Sequence, residues 1–244
     1  MGIKIDNLTG GYGQISVLKN VTFDVKDGEI VGLIGLNGAG KSTTINHIIG
    51  NLIPFSGSIK LNNISLEDKP ALYKRQIAYI PEMPIFYDEL TLKETLELTM
   101  LAYNLNRDNT WIKAHKLLKK FRLDNKLNWY PSDFSKGMQQ KVMIVNAMIT
   151  DAKVLIIDEP FIGLDPLAVN DFLELIKEKK EKGVSILMST HVLSNAEKYC
   201  DRFVFMNKGK VIIEGDLKEI RNYASCENKS LNDIYLSLVG NNND

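Results

Sequence analysis

"IGLNGAGKST", residues 34–43, has the spacing of a loop that binds a nucleotide phosphate: a glycine, four residues, and then Gly-Lys-Ser. It follows the apolar run of residues 30–34 and precedes "TTINHIIG", whose Ile45, Ile48 and Ile49 suit one face of a helix. A strand, a glycine-rich loop and a helix start direct backbone N–H groups at an anion. The alternative is an ordinary glycine-rich turn, which this spacing and context disfavour.

The individual residues of this loop suit a bound phosphate. Gly35, Gly38 and Gly40 allow positive φ and let the backbone close around the anion. Lys41 can reach the β- and γ-phosphates of a nucleotide, and the Ser42 hydroxyl can ligate Mg²⁺. The loop therefore predicts a nucleotide site with Mg²⁺, and it leaves open what work the nucleotide drives.

Length and composition narrow the class of protein. The 244 residues allow one large domain, or one domain with a subdomain. The 30 basic and 30 acidic residues give a formal net charge of zero, which argues against a nucleic-acid partner. The two cysteines, Cys200 and Cys226, are interpreted as free thiols in a reducing cytoplasm. No run reaches the roughly 18 to 20 apolar residues that span a bilayer, so a role at a membrane would need a partner.

The hydrophobic pattern divides the chain into three stretches. Residues 1–80 are predicted to form strands around one helix, and residues 85–150 to be mostly helical. Beyond these, strands and helices alternate, which predicts parallel βαβ units with a site at the carboxyl ends of the strands. Residues 217–244 predict two short helices.

Acidic residues end the apolar strand of a second motif, "VLIIDEPFIGLDP", residues 154–166. Asp158 is suited to hold the Mg²⁺ bound by Ser42, and Glu159 to orient and deprotonate the attacking water. A further apolar strand, "VSILMST", ends at His191, which is expected at the same sheet edge, beside the γ-phosphate and the water. The alternatives are a solvated acidic strand end and a structural histidine.

A third motif, "DFSKGMQQK", residues 133–141, has Ser135 and Gly137 at a predicted helix start. Ser135 could simply cap that helix. A serine and a glycine at a helix N-terminus also make an anion site, and one nucleotide does not require two such sites in one chain. Both interpretations stay open on the residues alone.

Together, "GLNGAGKST", "FSKGMQQ", "IIDEPFIGLDP" and "STH" resemble the nucleotide-binding domain of ATP-binding cassette (ABC) proteins, over about residues 3–215. The resemblance implies an α/β fold of the P-loop NTPase type. Its RecA-like parallel-sheet core would carry an antiparallel β subdomain and a helical subdomain at about residues 85–150. The cassette would cover residues 1–216, and residues 217–244 would form a short helical C-terminal extension.

The resemblance also implies a head-to-tail dimer of two copies, with each ATP bound between them. Lys41, Ser42, Asp158, Glu159 and His191 would serve one ATP and its Mg²⁺ within a chain, with Lys41, Glu159 and His191 as catalytic residues. Tyr12 would stack on the adenine, or else be an exposed turn tyrosine. The loop residues implied to contact ATP are Gly35, Asn37, Gly38, Gly40 and Thr43. The residues implied to serve the partner's ATP are Ser135, Gly137 and Gln139, and Asp165 would lie across the dimer seam.

Two residues depart from the family pattern. Lys136 stands where glycine is commoner, which adds charge without removing an anion-binding N–H group. Glu82 follows "YIP", where the family usually has a glutamine that touches Mg²⁺ and senses the membrane subunit. A carboxylate oxygen can still ligate Mg²⁺, and its negative charge would lie near the γ-phosphate.

A narrower set of motifs, "YIPEMPIFYDELTL", "HIIG", "FSKGMQQKVMI" and "PFIGLDPLA", resembles the ATPase subunits of bacterial Ecs exporters. This implies a subunit on the cytoplasmic face of the cell membrane, bound to a separate polytopic permease, in peptide export or protein secretion. Met83, Ile85, Phe86 and Tyr87 would dock the permease, or else fold under the helical subdomain. The alternative functions are a soluble cassette ATPase of cofactor assembly, repair or translation, and a nucleotide-gated interaction subunit.

Overall fold

Two β-sheets frame the fold in the part of the chain that the computed structural model describes, residues 2–159, 161–223 and 230–240. The strands are β1 (Ile3–Tyr12), β2 (Ile15–Val25), β3 (Ile30–Ile34), β4 (Ser56–Leu61), β5 (Ile64–Ser65), β6 (Ile77–Ile80), β7 (Val154–Asp158), β8 (Ser185–Thr190), β9 (Arg202–Asn207) and β10 (Lys210–Gly215). The smaller sheet has the strand order β2-β1-β4-β5, and the larger sheet β10-β9-β3-β8-β7-β6.

Helices connect most of the strands of the larger sheet. They are α1 (Lys41–Ile48), α2 (Pro70–Arg75), α3 (Leu92–Ala102), α4 (Arg107–Phe121), α5 (Lys136–Ile149), α6 (Pro166–Glu181), α7 (Leu193–Tyr199), α8 (Leu217–Tyr223) and α9 (Leu231–Gly240), with a 3₁₀ turn at Pro131–Asp133. Within the described ranges, none of these helices combines the length and the apolar character that a bilayer crossing requires.

The larger sheet brings the ends of three neighbouring strands together. β3 pairs with β8, and β8 with β7, both in parallel, whereas β10 runs antiparallel to β9. β3, β7 and β8 are buried along their whole length, as expected for parallel strands covered on both faces. Their carboxyl ends lead into the phosphate loop, the acidic pair and His191, and the predicted α/β fold is confirmed.

The smaller sheet is antiparallel and begins with a hairpin, in which Gly13 takes φ 57° at the turn between β1 and β2. The prediction of one helix within residues 1–80 is wrong, because α2 also lies there. With six residues, α2 is too short to show a helical pattern. It is fixed by the buried Tyr73, whose hydroxyl donates a hydrogen bond to the carbonyl of Ile48 at 2.7 Å.

Capping side chains fix the starts of α3 and α4. Thr91 and Glu94 form a capping box before α3, and the Asn106 side chain caps α4. The apolar faces of α3, α4 and α5 share one hydrophobic cluster with α6, β7 and β8. The predicted helical subdomain, residues 85–150, stays a prediction, because this cluster continues without a break into the larger sheet.

The C-terminal helices pack on the ends of two central strands. Ile220 of α8, with Ile234 and Tyr235 of α9, is buried against Ile34 of β3 and Phe205 of β9. The division into a cassette and a C-terminal extension therefore stays a prediction, since these helices share a core with the larger sheet.

Of the two cysteines, Cys200 lies within the described residues. Cys200 is a free thiol, and burial raises its pKa to about 12, so that it stays protonated at neutral pH. Cys226 lies outside the described residues.

A buried histidine joins α1 to the smaller sheet. His47 is 2% exposed, and its Nδ1 lies 3.1 Å from the carbonyl oxygen of Leu52. A side chain at Gly10 would leave its Cβ only 2.3 Å from His47 Nε2, so glycine makes room for the ring. Nε2 has no hydrogen-bond partner within the described residues, and burial lowers the pKa of His47. Protonation would therefore bury a charge and an unpaired N–H group.

This histidine predicts an acid-sensitive fold. A lowered pKa in the folded state means that the unfolded chain binds the proton more readily, so stability is lost as the pH falls below about 6.5. We expect the melting temperature to fall between about pH 7.5 and about pH 5.5, and His47→Gln to reduce that fall. The control is His115→Gln at an exposed position, which should keep the wild-type dependence. An equal fall in wild type and His47→Gln would contradict the prediction.

Candidate active site

Glycines shape the phosphate loop between β3 and α1 in two different ways. Gly38 and Gly40 take φ 82° and 107°, in the left-handed region that favours glycine. Gly35 does not take positive φ, so that part of the prediction is wrong. It is needed for close packing instead, because a Cβ there would lie 2.7 Å from Ala39 Cβ and 2.8 Å from the Met206 carbonyl oxygen.

The Lys41 ammonium is held by the loop that precedes it. Lys41 is 7% exposed, and its Nζ donates hydrogen bonds to the carbonyls of Gly35 at 2.6 Å and Leu36 at 3.4 Å. Burial lowers the pKa of Lys41. The carboxylates whose charge opposes this lowering are those of Glu159, Asp158 and Glu82.

The other predicted residues around the loop differ in their access to solvent. Ser42 and Asn37 are exposed, whereas Thr43 is buried in the first turn of α1. Tyr12 ends β1 and is 50% exposed, so its side chain is accessible to a ligand.

Asp158 ends β7 next to a serine of β8. The two strands pair with Asp158 opposite Ser189, whose hydroxyl donates a hydrogen bond to the Asp158 carboxylate. Burial raises the pKa of Asp158, and the charges of Glu82 and Glu159 add to the effect. The sequence prediction omitted Ser189, although its place two residues before His191 was a usable signal.

The backbone turns sharply after Asp158 and directs Glu159 towards β8. Glu159 takes φ 46°, which is unusual for a residue with a side chain, and its N–H donates to the Ser189 carbonyl at 3.2 Å. Its Oε1 lies 2.7 Å from His191 Nδ1. The carboxylate is 10% exposed and the imidazole 53% exposed, so the contact joins a buried acid to a ring that faces solvent.

Glu82 lies at the margin of the same site. It is exposed, and its charge adds to the raised pKa of Asp158 and opposes the lowering of the Lys41 pKa. The preceding carbonyl, of Pro81, accepts a hydrogen bond from Gln140 of α5 at 3.5 Å. Glu82 thus adjoins both the acidic pair and the helix that starts with Ser135.

Oxygen ligands suited to Mg²⁺ come from different parts of the site. Ser42 offers a hydroxyl, and Asp158 and Glu82 offer carboxylates. No group of three or more His, Cys, Asp or Glu side chains could hold a metal ion among the described residues. Protein carboxylates usually bind Mg²⁺ singly or in pairs, together with substrate phosphates. Burial is the main cause of the raised pKa of Asp158, and the nearby charges of Glu82 and Glu159 act in the same direction.

The third motif forms a second cluster, around the start of α5. Ser135 is exposed, and its side chain accepts a hydrogen bond from Met138 N–H at 3.4 Å, so it does cap the helix. Gly137 is half-buried, and a Cβ there would lie 2.4 Å from the Gly163 carbonyl oxygen. Glycine is therefore required for the segment 161–165 to pack against the helix start.

Gln139 and Asp165, the other two predicted residues near this helix start, make contacts within their own chain. Gln139 Nε2 donates a hydrogen bond to the Pro131 carbonyl at 3.0 Å. Asp165 caps α6 by accepting from Ala168 N–H at 2.8 Å, and it pairs with Lys141 at 2.7 Å. That hydrogen bond from Lys141 lowers the pKa of Asp165. None of these contacts reaches the phosphate loop.

Comparison with known proteins matches this arrangement. Residues 18–162 match the ABC transporter family. The chain is 50% identical to the ABC-type transporter ATP-binding protein EcsA of Bacillus subtilis, over 97% of this chain and 96% of that protein. It is 34% identical to the ABC transporter ATP-binding protein NatA of the same organism, over 92% and 91% of the two chains.

Solved structures agree. The structure of an ATP-binding subunit of an ABC transporter matches with a TM-score of 0.96 and 49% identity, over 98% of this chain and 100% of that one. A bacterial ABC transporter cassette solved as a dimer matches with a TM-score of 0.79 and 29% identity, over 88% of this chain and 98% of that one. The chain therefore belongs to the ABC transporter family, as an ATP-binding subunit that hydrolyses ATP.

Proposed function

We propose that this chain hydrolyses ATP at the carboxyl-end edge of the larger sheet and thereby drives a separate polytopic permease, from the cytoplasmic face of the cell membrane. The observation that carries the proposal is the convergence of Lys41, Asp158, Glu159 and His191 from three neighbouring strands, with Glu159 and His191 in contact at 2.7 Å. Peptide export or protein secretion is the proposed task, supported by the resemblance to Ecs exporters and the identity to EcsA.

The phosphate loop binds the phosphates of ATP through its N–H groups and the helix dipole of α1. Lys41 contacts the β- and γ-phosphates. Burial lowers the pKa of Lys41 and so disfavours its charged form. A negatively charged phosphate next to the ammonium favours that charged form, and the ammonium in turn stabilises the phosphate. Tyr12, which is half exposed, stacks on the adenine through its ring.

Glu159 takes the proton of the attacking water. His191 donates its Nδ1–H to Glu159 Oε1, which fixes the carboxylate and leaves its second oxygen for the water. The left-handed backbone at Glu159 separates this role from that of Asp158, which faces Ser189 instead.

Mg²⁺ fits the oxygen ligands of Ser42, Asp158 and Glu82, and when bound it neutralises charge on the β- and γ-phosphates. Ser189 orients Asp158 by donating to its carboxylate. Because Glu82 supplies a charged oxygen where the family usually has a neutral amide, it adds negative charge next to Lys41 and Asp158.

A second copy of the chain completes the site. Ser135 and Gly137 lie at an exposed helix start with contacts of its own, away from the phosphate loop, which suits a surface that serves another chain's ATP. Gln139 supports this surface by donating a hydrogen bond to the Pro131 carbonyl. Asp165 is held beside the same helix by its hydrogen bond from Lys141 of α5. A 29% identical cassette solved as a dimer supports this arrangement.

The segment after Glu82 is the proposed permease-docking surface. Met83, Ile85 and Tyr87 are 69%, 74% and 66% exposed, which is unusual for neighbouring apolar side chains on a protein without a partner there. Phe86 differs, because it packs against the core. The three exposed residues favour a membrane partner over the soluble-ATPase alternative.

Glu159→Gln should bind ATP but hydrolyse it about 10²- to 10⁴-fold more slowly, because an amide cannot accept the water's proton. Lys41→Ala should instead weaken binding of a slowly hydrolysed ATP analogue, measured by calorimetry. Glu181→Gln, at an exposed carboxylate of α6, is the matched control and should keep wild-type phosphate release. Wild-type turnover in Glu159→Gln would exclude it as the base.

Ser135→Asp separates helix capping from ATP contact. Aspartate caps as well as serine, so the variant should melt like wild type, while its negative charge should repel ATP and abolish activity. Mixing it with Lys41→Ala should restore about a quarter of wild-type activity, since half of randomly paired dimers are mixed and each holds one intact site. If subunits exchange, shown by labelled copies, and no activity returns, the shared-site arrangement is wrong.

Tyr87→Asp should keep basal ATPase activity and the wild-type melting temperature but lose co-purification with the permease from detergent-solubilised membranes. The matched control is Ile53→Asp, at a position 77% exposed elsewhere on the surface, which should still co-purify. Phe86→Asp should lower the melting temperature, because it charges a core contact. Undiminished permease binding by Tyr87→Asp would move the docking surface elsewhere.

A further inference from the structure

A tyrosine of the C-terminal helix α9 reaches the phosphate loop. Tyr235 is 2% exposed, and its hydroxyl accepts a hydrogen bond from Leu36 N–H at 2.9 Å and lies 3.1 Å from the Met206 carbonyl, to which it donates. Its ring packs edge to face on Phe205, with the ring centroids 5.4 Å apart. The side chain thus connects α9, the end of β9 and the first peptide of the loop.

The peptide between Gly35 and Leu36 is held from both sides. Its carbonyl accepts from Lys41 Nζ at 2.6 Å, and its N–H donates to the Tyr235 hydroxyl at 2.9 Å. A peptide unit is planar, so its carbonyl and its N–H turn together. The Tyr235 hydroxyl therefore fixes the orientation of the carbonyl that holds the Lys41 ammonium.

The hydroxyl is suited to this task because it donates and accepts at the same time. Burial raises the pKa of Tyr235, which keeps its proton available for the Met206 carbonyl at neutral pH. A phenylalanine would fill the same space against Phe205 and lose both hydrogen bonds. The contact between hydroxyl and loop is thus separable from the packing of α9.

We propose that Tyr235 is a positioning residue for ATP binding, which makes α9 part of the nucleotide site. It acts through the Gly35–Leu36 peptide on Lys41 and touches no reacting atom. Because coupling between two sites is reciprocal, ATP binding also stabilises the docked position of α9. This inference rests on the proposed function, since it takes the phosphate loop and Lys41 to bind ATP.

The test compares Tyr235→Phe with Ile234→Val, its neighbour on α9. Ile234 is buried in the same cluster, and its aliphatic side chain has no hydrogen-bonding group, so the control loses packing but no hydrogen bond to Leu36. Loss of the buried hydrogen bond should raise the Kd for a slowly hydrolysed ATP analogue, and the KM for ATP, about two- to tenfold. The kcat should stay within about twofold of wild type, because Glu159 and His191 are untouched. Ile234→Val should keep the wild-type Kd.

Hydrogen exchange of residues 231–240 supplies a second measurement. Adding the analogue should slow exchange there in wild type and in Ile234→Val, and not in Tyr235→Phe. All variants are compared well below their melting temperatures, so that a stability change alone does not alter the Kd.

The outcomes separate this inference from the proposed function. If the analogue binds wild type and not Lys41→Ala, while Tyr235→Phe keeps the wild-type Kd and the slowed exchange, Tyr235 has only a packing role and the inference is overturned. Equal weakening by Ile234→Val would overturn it as well. If Lys41→Ala binds the analogue like wild type, the proposed nucleotide site fails first.

Discussion

The parallel pairing of β3, β8 and β7 is the constraint on which the site depends. In this register Ile34 lies opposite Thr190, and Asp158 opposite Ser189, so the three strands end at one level. The loop, the acidic pair and the histidine, which are far apart along the chain, must then meet at one edge of the sheet. Because these strands are packed on both faces, a slip by one residue would misplace buried side chains against their neighbours in a closely packed core.

Negatively charged groups outnumber positively charged groups around Lys41 at this edge of the sheet. Three carboxylates, of Glu82, Asp158 and Glu159, influence one buried ammonium, that of Lys41. The Lys41 ammonium is bound by loop carbonyls, and Asp158 accepts a hydrogen bond from the Ser189 hydroxyl. A triphosphate would add further negative charge, which is the electrostatic argument for the proposed Mg²⁺.

Contiguous motifs were predictable from the sequence, and contacts between distant residues were not. The phosphate loop and the acid pair each depend on a strand and the residues directly after it, so pattern and chemistry sufficed to expect them. The close approach that requires Gly35 depends on Met206, and the sharp turn at Glu159 depends on the carbonyl of Ser189. The bond between Leu36 and Tyr235 spans 199 residues, and no local pattern marks a tyrosine that will reach a loop so far away.

Close packing also joins the acidic strand to the start of α5. Residues 161–165 follow shortly after Glu159, and the Gly163 carbonyl leaves no room for a side chain at Gly137. At the end of the same segment, Asp165 both caps α6 and pairs with Lys141 of α5. These contacts, made by residues only a few positions after Glu159, hold the segment that follows the acidic strand against the helix start that carries Ser135.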